Sequence, residues 1–238
     1  MSRDFSLTDS LSLADLQVFL GRAGRVDDGS VRLTASGRVL AAYVAVLYPS
    51  GLLDESPTVL GLRTFALTEP AEFDAVVPVR GLLDRIVRLQ NESVDATAAV
   101  RVSVPPEVLT ATWAAISAPR GGWSSNGSTS SSALEAAARA GIDEVAAAIP
   151  SGTGEQIVQR VRSEVWGRPL PDNERVTTGA AFAAYSLGFL PAVEGHAAGD
   201  VAPAAASDVA VFEAGPWTRL STDRGHVLVK RRTRLGLA

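Results

Sequence analysis

The chain of 238 residues contains no cysteine, and only Lys230 among its 22 basic residues is a lysine. The absence of cysteine excludes disulfides, zinc–thiolate sites, iron–sulfur clusters and a cysteine nucleophile. The polar, acidic segment 1–10 lacks the features of a secretory signal. The longest weakly polar run, residues 179–193, is shorter than the roughly 20 residues that a membrane span requires. We therefore expect a cytoplasmic protein with no membrane segment.

Familiar catalytic motifs are also missing. The sequence has no phosphate-binding loop of the Gly-x-x-x-x-Gly-Lys-Ser/Thr type and no Gly-x-Gly-x-x-Gly after a predicted strand. It has no His-Glu-x-x-His and no Gly-x-Ser-x-Gly elbow. These absences disfavour nucleotide hydrolases, simple Rossmann oxidoreductases, zincins and α/β-hydrolases. We expect no cofactor and no metal, and an enzyme of another kind stays open.

The composition is that of a globular protein, with 46% hydrophobic and 20% charged residues. The strong preference for arginine and alanine favours a bacterial source. Residues 215–238 hold six basic residues and one acid, so the net charge of −4 combines a basic C-terminal end with an acidic remainder.

The first 104 residues show the patterns of a sheet with two helices. Residues 12–23 have helical spacing with a capping-box-like start at Ser12, and Asp27-Asp28-Gly29 predicts a hairpin turn before strands at 31–34 and 38–47. Further patterns predict a strand at 58–67, a helix after Pro78 and a strand at 94–104.

The period changes after Pro105-Pro106. Residues 105–191 predict helices, among them one through 108–116, and 195–207 read as a flexible linker rich in alanine, glycine and proline. Strands return at 208–234. The sequence thus predicts an α+β fold, a mainly antiparallel sheet with a helical middle. We favour one continuous domain over residues 1–238, and a separate helical domain is the alternative.

The loop Ser117–Ser132 is the best candidate site. Arg120 offers a planar fork for an anion, Gly121 and Gly122 allow close approach of the backbone, and Trp123 supplies a stacking face. Ser128–Ser132 are predicted to lie at a helix N-terminus, where an anion is favoured. A structural role, as a helix junction with Trp123 plugging the edge of the core, explains the same residues and is favoured on general grounds.

Other polar groups are weaker candidates. Residues 151–156 resemble a phosphate cradle, but Glu155 in the first turn favours ordinary capping. Glu194, His196 and Asp200 lie in the linker without the spacing of a metal site, and His226 begins a probable strand.

The basic C-terminal segment allows two interpretations. Arg219, Lys230, Arg231 and Arg232 form a basic surface that could contact nucleic acid, although the acidic body opposes this. Charged residues that protect an edge strand are the simpler explanation.

Two functions follow from these patterns. The first is a bacterial binding or assembly protein, whose contact surfaces are residues 120–123 and the basic strand, with a protein partner or self-association more probable than a small molecule. The second is an enzyme acting on an anionic small molecule, with Arg120 holding the anion, Trp123 stacking, and Asp143 or Glu144 as general base.

Overall fold

A computed structural model describes residues 3–27, 29–49, 51, 54, 56–92, 95–108, 111–149, 152–191 and 208–231. The predicted linker at 195–207, with the Glu194, His196 and Asp200 group, lies outside these residues, as does Arg232. Within them the chain divides into two compact units. Unit 1 comprises Met1–Val46 and Leu60–Ser117, and unit 2 comprises Leu47–Val59 and Ala118–Ala238. Folding of both units as one domain stays a prediction.

Unit 1 combines an antiparallel sheet with two helices. Its elements are β1 (Asp4–Leu7), α1 (Ser10–Val26), β2 (Ser30–Leu47), β3 (Thr58–Pro78), α2 (Val79–Glu92) and β4 (Val100–Ser103). Strands β2 and β3 run one or two residues into unit 2. The strand order is β4-β1-β3-β2, and the β1–β4 register aligns Asp4 with Ser103 and Ser6 with Arg101.

Helix α1 begins earlier than the sequence predicts. The side chain of Asp9 accepts a hydrogen bond from the Ser12 backbone N–H at 2.7 Å, so Asp9, rather than Ser12, caps the helix. The hairpin expected at residues 27–29 is wrong because this turn joins α1 to β2, a single strand through residues 30–47. Strand β4 is shorter than the predicted 94–104, and β3 extends to Pro78, directly before α2.

The predicted helix at 108–116 is also wrong. Of its described residues, 108 and 111–116, only Thr112–Ala115 are helical, and they form a short 3-10 helix. The Val108 N–H donates to the Val76 carbonyl at 2.7 Å, and Arg32 donates to the Ala114 carbonyl at 2.7 Å. These tertiary hydrogen bonds hold the segment against β3 and β2, so its helical spacing of apolar residues does not produce an α-helix.

Unit 2 contains the following elements: β5 (Ser124–Ser130), α3 (Ser131–Ala148), α4 (Glu155–Gly167), β6 (Pro169–Leu170), β7 (Asn173–Thr177), α5 (Thr178–Ser186), β8 (Asp208–Ala214), β9 (Trp217–Thr222) and β10 (Gly225–Lys230). Strands β5 and β8–β10 form an antiparallel sheet in the order β10-β9-β8-β5, and β6 pairs with β7. Helices α3, α4 and α5 lie within the segment 105–191 that the sequence predicts to be helical, and β8, β9 and β10 lie within the strand segment predicted at 208–234. Strand β5 and the β6–β7 pair correct the purely helical description of residues 105–191.

The core of unit 2 lies between helices and one face of its sheet. Helices α3 and α5 pack together, and the ring of Trp166 stacks on Phe182 with centroids 4.3 Å apart. Val211, Leu220 and Val227 are almost fully buried on the sheet. The fold class is therefore α+β with a mostly antiparallel sheet, as the sequence predicts.

Candidate functional site

The candidate loop leads directly into edge strand β5. Arg120, Gly121 and Gly122 are exposed, and Gly122 has a φ of 74°, which glycine adopts at little cost. Trp123 is half-buried, and its indole N–H donates to the Pro119 carbonyl at 3.1 Å. This bond closes a short turn, which fixes the orientation of the indole ring immediately before β5 begins.

Trp123 and Arg219, which the sequence places in two separate candidate surfaces, meet in the structure. The guanidinium carbon of Arg219 lies 4.6 Å from the centre of the Trp123 ring and 4.5 Å from the centre of the Phe212 ring. Both distances suit cation–π contact. We call this arrangement the arginine sandwich and define it by Trp123, Phe212 and Arg219.

Strand register explains how the arginine sandwich forms. Phe212 of β8 is opposite Arg219 of β9, and Ser125 of β5 is opposite Phe212. Directly paired residues project from the same face of a sheet. Phe212 and Arg219 therefore lie on one face of the sheet, and Val211 and Leu220 lie on the other. Trp123 is two residues before Ser125, and its ring contacts the same arginine.

The guanidinium in the sandwich has no carboxylate partner among the described residues. Its Nε atom is buried without a hydrogen-bond acceptor, and burial lowers the pKa of Arg219 from its ordinary value. Nearby Glu213, by contrast, accepts from Arg175 at 2.7 Å and from Arg231 at 3.1 Å. The carboxylate of Glu213 is thus engaged by other arginines, and the cation of Arg219 is stabilised within the described chain by aromatic rings.

His226 adds a second group that is sensitive to this cation. Its Nδ1 lies 3.0 Å from the Ser221 hydroxyl oxygen, and Ser221 is its direct partner across β9 and β10. Burial lowers the pKa of His226, and the charge of Arg219 lowers it further. A neutral imidazole beside the sandwich is therefore favoured at neutral pH.

The basic surface expected at the C-terminal end is largely engaged within the chain. The Lys230 ammonium lies 5.9 Å from the centre of the Trp217 ring, and Arg231 binds Glu213. The three described residues of the expected basic surface, Arg219, Lys230 and Arg231, therefore separate into two groups. Lys230 and Arg231 serve neighbouring side chains, whereas Arg219 belongs to the arginine sandwich.

Strand β5 has an irregular free edge. It pairs with β8, and within the described ranges no strand covers its other side. The register shifts between Ser125 and Ser128, where Gly127 has a φ of 80°, which marks a bulge. The Asn126 side-chain nitrogen is buried in this bulge without an acceptor. A bulged edge is poorly suited to adding another strand.

Asp143 and Glu144, the acids proposed as a general base, do not form a reactive pair. Glu144 on α3 accepts from Arg168 at 2.8 Å, and this hydrogen bond lowers the pKa of its carboxyl. A carboxylate of lowered pKa is a weaker base, while Asp143 is simply exposed on the same helix. Among the described residues, no group of three potential metal ligands is found.

Two family models match the chain. Residues 1–106 match a domain of unknown function, DUF8010, and residues 118–234 match a second domain of unknown function, DUF8185. The second match starts at Ala118, where the chain enters unit 2 for the second time. Among curated proteins none matches the chain.

Several solved structures resemble the chain at low identity. One is a DNA polymerase sliding clamp from Caulobacter crescentus, with 13% identity, 99% of this chain and 67% of that chain covered, and a TM-score of 0.46. Another is a DNA polymerase sliding clamp from Pseudomonas aeruginosa, with 14% identity, 96% and 63% covered, and a TM-score of 0.43. The chain thus spans about two thirds of the length of these clamp subunits. None of the helices in the described ranges is long and apolar enough to cross a membrane.

Sequence reasoning missed Phe212 and the meeting of Trp123 with Arg219. The available signal was the alternation in β8, where buried Val209 and Val211 leave Phe212 on the other face. Strand pairing, which joins β5 to β8 across about 80 residues of sequence, decides that the indole of residue 123 reaches this face. Sequence spacing alone does not supply that register.

Proposed function

We propose that this protein works by binding a protein partner, and that Arg120, Trp123 and Arg219 on unit 2 form the contact surface. The observation that carries the proposal is the contact of the Arg219 guanidinium with the rings of both Trp123 and Phe212, without a carboxylate partner in the described chain. Arginine and tryptophan are the residue types that most often dominate binding energy at protein interfaces.

The sandwich supports binding because it fixes the arginine in advance. A free arginine side chain loses considerable conformational entropy when a partner immobilises it, and stacking between two rings reduces this loss. The terminal nitrogens of Arg219 remain available as donors, since only its Nε is buried without an acceptor. Arg175 and Arg231 both pair with the carboxylate of Glu213, whereas Arg219 has no such partner in the described chain. An acidic side chain of a partner protein would supply that carboxylate.

The surroundings favour a protein partner over nucleic acid. Arg231 is held by Glu213, and Lys230 lies on Trp217, so these cations already have partners inside the unit. The protein as a whole carries a net charge of −4, which opposes binding to a polyanion. Exposed Arg120 and the neighbouring glycines extend the contact surface beside Trp123.

The test compares variants in co-purification and in reconstituted binding. Proteins retained by the tagged chain from its own cytoplasm are identified, purified and titrated against wild-type, Trp123→Ala and Arg219→Met proteins. Arg160→Met is the matched control, because Arg160 is an exposed arginine of the same unit with an i,i+4 partner only. Sedimentation of the purified chain over a range of concentrations measures self-association in parallel.

We expect at least a tenfold loss of affinity for each sandwich variant and less than a twofold change for the control. The melting temperature of each variant is measured in the same samples, so that loss of the fold is separated from loss of contact. Partner affinities unaffected by Trp123→Ala and Arg219→Met would overturn the proposal. Binding of duplex DNA that weakens steeply with salt and needs Arg219 would assign the surface to nucleic acid instead.

A further inference from the structure

A second cationic site lies in unit 1 and is independent of the surface proposed above. A pocket of about 440 Å³ lies beside β4 and helix α2. Arginines outnumber acids among the residues that line it. The lining residues are Asp4, Arg85, Arg88, Leu89, Arg101 and Ser103. With three guanidinium groups and one carboxylate, the lining carries a formal charge of +2 within a protein of net charge −4.

Local structure brings these arginines together. Arg85 and Arg88 are three residues apart on α2, so they lie on one face of the helix with Leu89. Arg101 and Ser103 alternate with buried Val100 and Val102 on β4, and Asp4 pairs with Ser103 across β1. Like charges that are neighbours on one helix face repel each other. The arrangement therefore has a cost that an anionic ligand would offset.

The hydrogen bonds leave much of the donor capacity unused. Arg101 donates from both Nε and Nη2 to one oxygen of Asp4, at 3.2 and 2.8 Å. Arg85 donates from Nη1 to the Ser103 hydroxyl at 2.7 Å, which positions its guanidinium at the pocket wall. Neither Arg85 nor Arg88 forms an ion pair with any described residue. A guanidinium has five N–H donors, so each arginine retains several for a ligand.

We infer that this pocket binds the phosphate group of a small phosphorylated molecule. A phosphate monoester carries about −1.5 to −2 charges at neutral pH and three acceptor oxygens, which match the formal charge of the lining and the N–H donors of its three arginines. The pocket volume falls in the range of roughly 300–1,000 Å³ that is usual for small-molecule sites. Leu89 supplies apolar surface that the remainder of the ligand would cover. Inorganic phosphate alone would leave this surface exposed.

The test uses isothermal titration calorimetry of the full chain with inorganic phosphate, pyrophosphate and glucose 6-phosphate, with glucose as the uncharged probe. Arg88→Gln is the main variant because Arg88 is exposed and makes no hydrogen bond or ion pair with the described chain. The matched control is Arg25→Gln, which removes the same charge from an exposed position on α1 in the same unit. A second variant, Arg101→Gln, tests the β4 side of the pocket.

The expected result is saturable binding of glucose 6-phosphate, tighter than that of inorganic phosphate and absent for glucose. Arg88→Gln and Arg101→Gln should each weaken it at least tenfold, and Arg25→Gln less than twofold. Equal weakening by all three variants would indicate a general charge effect and overturn the proposal, as would no saturable binding of any phosphate probe. Preferential binding of a DNA duplex that depends on Arg88 would assign the pocket to a nucleic-acid backbone and refute the small-molecule ligand.

Discussion

Gly141→Ala should reduce the stability of unit 2 although alanine is the better helix former. Gly141 lies in the middle of α3, and a Cβ atom there would stand 2.3 and 2.7 Å from two ring carbons of Trp166. Trp166 is 3% exposed and stacks on Phe182, so its indole has little room to move away. Overpacking of this kind typically costs about 1–3 kcal/mol. A rigid aromatic neighbour favours the upper part of that range.

Gly21→Ala is the matched control, because it measures the gain in helix propensity from glycine to alanine without any overpacking. Gly21 lies in the interior of α1, and nothing stands within 4 Å of the position of its Cβ. Replacing glycine by alanine within a helix contributes about 0.8–1.0 kcal/mol at either position. The difference between the two variants therefore isolates the overpacking at Trp166, and Gly21→Ala should raise the free energy of unfolding.

Urea unfolding followed by far-ultraviolet circular dichroism measures both variants against the wild type. We expect a difference of about 1–3 kcal/mol between the unfolding free energies of the two variants, with Gly141→Ala the less stable. Equal stabilisation by both substitutions would refute the close packing of α3 against Trp166. One transition or two would also report whether the units unfold together, which is the prediction of a single domain.

Two further predictions concern pH. The hydrogen bond from the Ser12 backbone lowers the pKa of Asp9, so its stabilising contribution should be present above the unfolded value of 3.8 and be lost as the pH falls through the lower folded value. Asp9→Asn, which retains a capping side chain, should reduce this acid dependence in urea titrations below about pH 4, and an unchanged profile would contradict the cap. Burial lowers the pKa of His226 below the ordinary value of 6.5. The free energy of unfolding should therefore be unaffected by this histidine above about pH 6.5 and should fall as the pH drops towards the folded pKa. His226→Gln should flatten that part of the profile, measured from pH 7.5 to 5, and a wild-type slope that persists in the variant would refute the assignment.

Local sequence patterns predicted much of the fold where local and tertiary preferences agree. The helix predicted after Pro78 is α2, and the strands predicted at 208–234 are β8 to β10. Residues 108–116 have a helical period as well, but Val108 bonds to Val76 in β3. The failure at that segment has a physical cause, because hydrogen bonds to residues distant in sequence outweigh a weak local preference.

The candidate site was predicted in parts. Arg120, Trp123 and Arg219 could be chosen from residue chemistry, since arginine and tryptophan in polar surroundings suit recognition. Their role together stays a prediction, and only Trp123 and Arg219 are brought together by the described contacts. The β5–β8 and β8–β9 registers determine that meeting, and register in an antiparallel sheet depends on pairings over long sequence separations.

The two proposed sites differ in how their arginine side chains are stabilised, and this difference supports different ligands. In unit 2 a single guanidinium contacts two aromatic rings, and its Nε is buried. Binding there depends mainly on the direction of the remaining N–H donors and on the aromatic surface. In unit 1 the side chains of three arginines and one acid line the same pocket, so the total charge of the lining is the main attraction for a ligand. A carboxylate from a protein surface suits the first arrangement because it requires one well-oriented donor group and apolar contact. A phosphate suits the second because its charge is close to −2 and its oxygens accept from several donors at once.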